Sequence, residues 1–297
     1  MNKKFNKVNI EISNICNLQC SFCPEVLRAK TLMDPELFEK IIKQLVPLTD
    51  QVCFHLMGDP LVHPQLSRFV DICEIYKMPI FLVTNGVLLK DQIAELLLHP
   101  LFRQVNFSLH SFFDNYPNKD PDFYLKKIFD FTNIAFLKRP DLFINYRLWN
   151  LNDPKGSGTD NTKMLEKIMN FFKVDLIPLD DVRRNKSIRI KNRLYLHYDT
   201  EFIWPNLESE VIGASGTCYG LASHFGILAD GTVVPCCLDK EGRIPLGNVN
   251  DSTIDNILKS EKSQKIRQGF NLKKLVDPLC QRCNYIKRFS NQNLSLS

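Results

Sequence analysis

A chain of 297 residues, 44% hydrophobic and 24% charged, can bury a large core, and its length suits one enzyme domain with a smaller appendage. The 38 Lys and Arg against 33 Asp and Glu leave +5, which permits anionic substrates or redox partners but is too little for a nucleic-acid binder. Residues 1–7 run into a strand-like segment without the apolar stretch of a secretory signal, and no apolar run approaches a membrane span, so a cytoplasmic protein away from membranes is expected.

From Val8 onward, strand-like and helix-like segments alternate, the pattern of βα units around a parallel sheet. Strands are predicted over residues 8–13, 51–57, 80–84, 104–109, 142–148 and 174–178, each rich in β-branched or aromatic side chains. Helices are predicted over residues 35–45, 65–76, 91–98, 123–136 and 161–172. The first is introduced by Asp34-Pro35-Glu36, where Asp caps and Pro fills the first turn. Residues 150–158 collect Asn, Asp, Pro and Gly and read as a loop at one end of the sheet, bordering the substrate. After about residue 180 the pattern changes to extended segments over 188–198, 202–204, 225–228 and 232–236, the last two flanking Ala229-Asp230-Gly231, and then a helix over 252–268. A core of residues 1–180 and a smaller module of residues 181–297 packed on it are expected.

Ten cysteines in a reducing compartment argue for metal ligation or redox chemistry, since disulfides rarely persist there. Cys16, Cys20 and Cys23 share one loop just after the first strand, the end at which α/β barrels keep their active sites. Three thiolates do not close a tetrahedral zinc site, whereas a 4Fe-4S cluster held by three leaves one iron open. Cys218, Cys236, Cys280 and Cys283 form a second group. Cys53 and Cys73 read as core residues, and Cys237 reads as a buried thiol or as an alternative ligand to Cys236.

The C-x3-C-x2-C loop, with Phe22 just before its third Cys, resembles the signature of the radical S-adenosylmethionine (radical SAM) superfamily. The resemblance implies a partial (β/α)6 TIM-like barrel in which the open iron chelates SAM. Reductive cleavage of SAM then gives a 5′-deoxyadenosyl radical that abstracts a substrate hydrogen. Met57-Gly58-Asp59-Pro60 resembles the family's Gly-Gly-Glu-Pro motif, with Met and Asp substituted, and implies that Gly58, Asp59 and Pro60 hold the SAM amino group. Val83-Thr84-Asn85-Gly86 resembles the Thr-Asn-Gly beside the SAM site. Ser108-Leu109-His110 stands where the family often has Ser-Leu-Asp, so Phe22, Asn85 and Ser108 are expected on the cofactor, with His110 a departure and a catalytic candidate.

Glu11 puts a carboxylate near the substrate if its face of the first strand is the barrel interior, or else is a buried structural group. Arg147, near the end of the fifth strand, could hold the SAM carboxylate or an anionic substrate group through its planar fork. His55 reads as a core histidine or a base.

In the tail, Gly216-Thr217-Cys218, Gly231-x4-Cys236, Leu246-Gly247-Asn248-Val249 and Cys280-x2-Cys283 resemble, in order, the SPASM or shorter twitch extension of radical SAM enzymes. No cysteine follows Cys283, so the resemblance implies a twitch-like module with one auxiliary 4Fe-4S cluster. Four cysteines are also the complement of a zinc ribbon. The basic run from Arg183 to Arg193 is either a grip on an acidic substrate or RNA or, as we favour, a solvated strand edge.

The resemblance implies hydrogen abstraction from an unactivated C–H, most simply in a peptide or protein side chain, with oxidation through the auxiliary cluster and a flavodoxin- or ferredoxin-type electron donor. The alternatives are dehydrogenation of a small polar metabolite such as an amino sugar or aminocyclitol, whose enzymes share this cysteine layout, and a non-enzymatic iron–sulfur or zinc module.

Overall fold

Strand β1 (Lys7–Ile10) lies at the centre of a ten-stranded sheet in the computed structural model, which describes residues 5–117, 119–150, 157–175, 186–200 and 203–290. Its parallel partners on one side are β2 (Val52–Phe54), β3 (Ile80–Thr84), β4 (Phe102–Ser108) and β5 (Phe143–Leu148), in sequence order. Between them run α1 (Pro35–Leu45), α2 (Leu66–Ile75), α3 (Asp91–Leu97), a short α4 (His110–Asn115) and α5 (Asp122–Lys138). The fold is α/β with a parallel sheet, as in a partial TIM-like barrel.

Local chemistry explains the outer layer. In α1 the Asp34 carboxylate accepts from the amides of Glu36 and Leu37, Pro35 fills the first turn, and Phe38, Ile41, Ile42 and Leu45 make one buried stripe. Phe38 meets Phe54 and Phe69 edge-on, with ring centroids 5.6 and 4.5 Å away, and so seals helix to sheet.

The sixth parallel position differs from the expectation of a strand over 174–178. Val174 and Asp175 are not in a strand, residues 176–178 lie outside the described residues, and the strand that pairs parallel to β5 is β7 (Leu194–Tyr198). The extended run over 188–198 is a hairpin, β6 (Ser187–Lys191) antiparallel to β7, turning where Asn192 takes φ 47°. Arg189 and Lys191 sit on its exposed outer edge. Helix α6 (Ser157–Phe172) precedes it; the expected loop over 150–158 falls mostly on residues 151–156, outside the described residues.

On the other side of β1 lies a strand from the tail. β8 (His224–Ile227) pairs parallel to β1, and β9 (Thr232–Val234) and β10 (Gly247–Asn248) continue the sheet antiparallel. The cysteine-bearing tail is therefore hydrogen-bonded into the barrel sheet. The single helix expected over 252–268 is two, α7 (Ile254–Lys259) and α8 (Glu261–Asn271), because Ser260 leaves helical geometry at ψ 153° and caps the second through the amide of Ser263. A short α9 (Lys287–Ser290) follows. Among the described residues no helix is long and apolar enough to cross a membrane.

Glu11 does not face the substrate space. It is 1% exposed, both carboxylate oxygens lie 2.9 Å from Arg28 Nη2, and it accepts from the amides of Met57 (3.3 Å) and Ala229 (3.2 Å). Burial raises its pKa while Arg28 opposes the rise. The group ties the cysteine loop, the end of β2 and the turn after β8 to one point. Glu11→Ala, which strands Arg28 and two amides, should cost about 3 kcal/mol, read as a lower urea midpoint. A loss under about 1 kcal/mol would show that this carboxylate does not join the three segments.

Candidate active site

A cavity of about 990 Å³ opens where the strands end, with the three-cysteine loop on one wall and Cys218, Cys236, Cys280 and Cys283 on another. Its lining includes Phe22, Gly58, Asp59, Asn85, Ser108, His110 and Arg147, so most of the residues singled out in the sequence share one space. Pro60 is buried in a 3-10 turn (Pro60–Val62) just beyond that lining.

The first thiol loop is held by hydrogen bonds from distant elements. The Leu18 amide donates to Cys16 Sγ at 3.4 Å, and Asn85 Nδ2 reaches that sulfur at 3.7 Å and Asn17 Oδ1 at 2.9 Å. From α4, Asn115 Nδ2 donates to Cys20 Sγ at 3.1 Å while its Oδ1 accepts from the Gln19 amide at 2.9 Å. Asp114 takes both the amide and the hydroxyl of Ser21. The Phe22 ring lies 4.8 Å from the His110 imidazole. Helix α4 thus clamps the loop, a role the sequence concealed because six residues carry no readable periodicity. Its only trace was His110 in place of an acidic residue.

The motif after β2 is an interlock. Gly58 has φ 69°, and a Cβ there would stand 2.3 Å from the Ser13 carbonyl oxygen, so only glycine fits this crossing. The Asp59 carboxylate, 2% exposed, accepts from the Leu61 amide (2.9 Å), Thr84 Oγ1 (2.8 Å) and the Asn85 amide (2.7 Å). It lines the cavity but is filled by protein donors, and it braces β2 against β3.

His110 Nδ1 lies 3.0 Å from the Arg147 carbonyl, which only accepts; Nδ1 therefore carries the hydrogen and Nε2 the lone pair. Burial lowers its pKa to about 4, so the ring is neutral at pH 7. Arg147, opposite Ser108 in the sheet register, is 9% exposed and lies 4.4 Å from the Trp149 ring. Burial lowers its pKa to about 10, still charged at neutral pH, and its Nε has no hydrogen-bond partner among the described residues.

The thiols suit clusters better than isolated chemistry. Burial pushes Cys16 up to about 11, and Cys23 is held up by bonding to Cys20, which that bond holds down. In the second group, burial first raises all of them, Cys218 to about 11 and Cys236 and Cys280 further, with neighbouring thiolates adding to Cys218 and Cys236 and the Asp277 carboxylate, then thiolates, to Cys280. Ionised thiols so crowded need bound positive charge. Gly220 sits against this group: a Cβ there would lie 3.0 Å from the Pro235 carbonyl oxygen, tighter than ordinary contact, while Cys236 Cβ and Cys218 Sγ would stay at ordinary van der Waals distance. All seven of these cysteines line the cavity, the all-thiolate donor set that iron–sulfur clusters take. Cys237 packs beside Leu56, Leu228 and Val234, Cys73 is core as expected, and Cys53 is buried yet lines the cavity.

Known proteins match the chain in both of its cysteine-bearing regions. The radical SAM superfamily model matches residues 10–137, and the model of the iron–sulfur cluster-binding domain SPASM matches residues 218–284. The chain is a member of the radical SAM superfamily. More particularly, it carries the SPASM iron–sulfur domain, so its cofactors are SAM and 4Fe-4S clusters. The S-adenosyl-L-methionine-dependent 2-deoxy-scyllo-inosamine dehydrogenase of Niallia circulans is 32% identical over 105 residues, 33% of this chain and 42% of that protein, so the match spans less than half of the relative. The cysteine-type anaerobic sulfatase-maturating enzyme of Clostridium perfringens is 23% identical over 93% of this chain and 85% of that protein. The crystal structure of BtrN in complex with AdoMet and 2-DOIA superposes with a TM-score of 0.61 at 19% identity, covering 96% of this chain and 94% of that one, a likeness of fold.

Two outcomes test the site. A hydrogen bond to a cluster sulfur favours the reduced state. With the Asn115 contact valued at about 1 kcal/mol, Asn115→Ala should lower the first cluster's potential by roughly 40 mV for one electron, measured by EPR-monitored titration; an unchanged potential would remove α4 from tuning. Burial also lowers His55 to about 3 and His224 to about 4, so both are neutral when folded and protonate on unfolding below about pH 6.5. Their stability is complete above that pH and is lost as the pH falls towards 4. Thermal midpoints should drop over that window, and less steeply in His55→Phe.

Proposed function

We propose that this chain is a radical SAM oxidoreductase that modifies a substrate held between two 4Fe-4S clusters. The observation that carries the reading is one cavity walled by a three-thiol loop and a four-thiol group. When bound, the three-thiolate cluster with SAM would supply radical chemistry at an unactivated C–H, and the auxiliary cluster would supply a one-electron acceptor.

The chain's own residues do the holding and the sorting. Cys16, Cys20 and Cys23 hold the first cluster from a loop fixed by Asn85, Asp114 and Asn115. Cys218, Cys236, Cys280 and Cys283 hold the second, with Cys237 left against its apolar neighbours. Phe22, Gly58, Asn85 and Ser108, which line the cavity, would contact SAM. Asp59 acts through Thr84 and Asn85 rather than by touching the cofactor. His110 seats Phe22 and presents a neutral Nε2.

In this reading residues 1–180, completed by the sixth parallel strand β7 from the tail, carry the SAM chemistry and the rest of residues 181–297 the auxiliary centre. Electrons come from a flavodoxin- or ferredoxin-type donor in the cytoplasm, where thiols stay reduced. A peptide side chain and a small polar metabolite both fit a cavity of this size.

Anaerobic reconstitution should give about eight irons per chain and reductive formation of 5′-deoxyadenosine. The Cys16→Ala/Cys20→Ala/Cys23→Ala variant should keep about four irons and make none. Zinc in place of iron, or no 5′-deoxyadenosine from the wild type, would sink the proposal.

A further inference from the structure

Exposed apolar side chains and unpaired cations gather on the outer face of the tail. Of the fourteen large apolar side chains exposed among the described residues, six fall on the two stretches that flank the auxiliary cysteines: Ile203, Leu207, Val211, Ile212, Tyr219 and Leu272. Val211 is 54% exposed and Leu272 69%. Single exposed apolar residues are ordinary, but a group of them marks an interaction surface.

Backbone bonds stitch the two stretches together. The Gly216 amide donates to the Lys273 carbonyl at 2.9 Å, the Leu275 amide to the Ala214 carbonyl at 2.8 Å, and the amides of Ile212 and Gly213 to the Gln281 carbonyl at 2.8 and 3.3 Å. The apolar strip thus runs antiparallel to residues 273–275 and ends on Gln281, inside the turn that carries Cys280 and Cys283. Arg282 Nε extends the tether to the Ser209 carbonyl at 2.9 Å.

The same face is basic. Residues 261–288 carry eight Lys and Arg against two Asp and Glu, an excess larger than the chain's +5, so the rest of the chain has no positive surplus. Four of the eight are held by the protein itself: Lys262 by the Pro245 carbonyl, Arg267 by that of Leu221, Arg282 by those of Ser209 and Pro278, and Arg288 by Asp199. The other four, Lys265 of α8 with Lys273, Lys274 and Lys287, are exposed and have no carboxylate partner among the described residues. Glu208 and Glu210 on the strip reduce the surplus without reversing it.

We infer that this face docks an acidic one-electron carrier protein over the Cys280–Cys283 turn. The class of the partner rests on the function proposed above; the docking face itself rests on the apolar strip and the lysines around it. An apolar centre with a charged rim is the makeup of a protein interface, and the rim steers a partner of opposite charge. A second copy of this chain would bring lysine rim against lysine rim, which like charges oppose. The auxiliary thiols also line the cavity, so their centre would stand between substrate and carrier. The oxidised carrier accepts the single electron that each substrate oxidation leaves on that centre and is itself reduced by one electron.

The test is calorimetric titration of the reconstituted protein with oxidised flavodoxin and, separately, with oxidised plant-type ferredoxin, both acidic proteins, in ~0.05 M salt. Saturable one-to-one binding of at least one carrier is expected. It should weaken about tenfold or more in ~0.5 M salt, in Lys273→Glu/Lys274→Glu and in Val211→Ser/Leu272→Ser. It should persist in Lys273→Arg/Lys274→Arg and in Lys191→Glu on the outer edge of β6. Circular dichroism identifies a variant that has failed to fold, and Lys265→Glu/Lys287→Glu then carries the test. Absence of saturable binding, binding indifferent to the charge reversals, or an equal loss in Lys191→Glu would overturn the docking face. Self-association of the protein alone, seen by sedimentation velocity and lost in Val211→Ser/Leu272→Ser, would overturn it too by giving the face to a second copy. 5′-Deoxyadenosine formed with dithionite, which needs no carrier, keeps the two proposals apart: cleavage without carrier binding ends the docking face alone, and carrier binding without cleavage ends the radical SAM reading alone.

Discussion

The carboxylate of Glu11 is the point on which the cysteine-bearing segments converge. One side chain accepts from Arg28 beyond the first thiol loop, from the amide that opens the Met57-Gly58 crossing, and from Ala229 in the turn leading to Cys236. Without such a node, loops leaving β1, β2 and β8 would each relax on their own. Arg28 extends the node, since its Nε donates to the Lys240 carbonyl at 2.7 Å. The Gly58 crossing adds a steric limit, because the chain passes so close to Ser13 that no side chain is admitted.

The sheet was legible because parallel strands buried on both sides read as apolar runs at regular intervals. The predicted span 80–84 is β3 itself, and the cap at Asp34 is where α1 begins. The sixth strand was not legible, since a hairpin turned at Asn192 without a glycine looks like one continuous extended segment. The cysteines declared the site, and spacing suffices for that because ligands on one loop need no long-range information. Glu11 and Asp59 are different. A carboxylate on an inward-facing strand end looks the same in sequence whether it meets substrate or backbone amides, and only the partners, all but the Leu61 amide 17 to 218 residues away, decide.

The barrel interior is unusually polar for a sheet of this kind, and the polarity is organised. Asn106 accepts from both Gln104 and Asn145 and donates to the Leu82 carbonyl, and Asn9 donates to Phe225. These amides satisfy one another, so they are scaffold.

The pairing of β8 with β1 has a mechanical consequence. Adjacent parallel strands sit about 4.8 Å apart and cannot slide without breaking several ladder bonds together. The loop with Cys16 leaves β1, and the hairpin with Cys236 begins at its neighbour β8, so the two redox centres would be spaced by the backbone lattice itself. A hinge opening between the halves would have to break that ladder, so the pairing of β1 with β8 holds the Cys16 loop and the Cys236 hairpin at a fixed spacing.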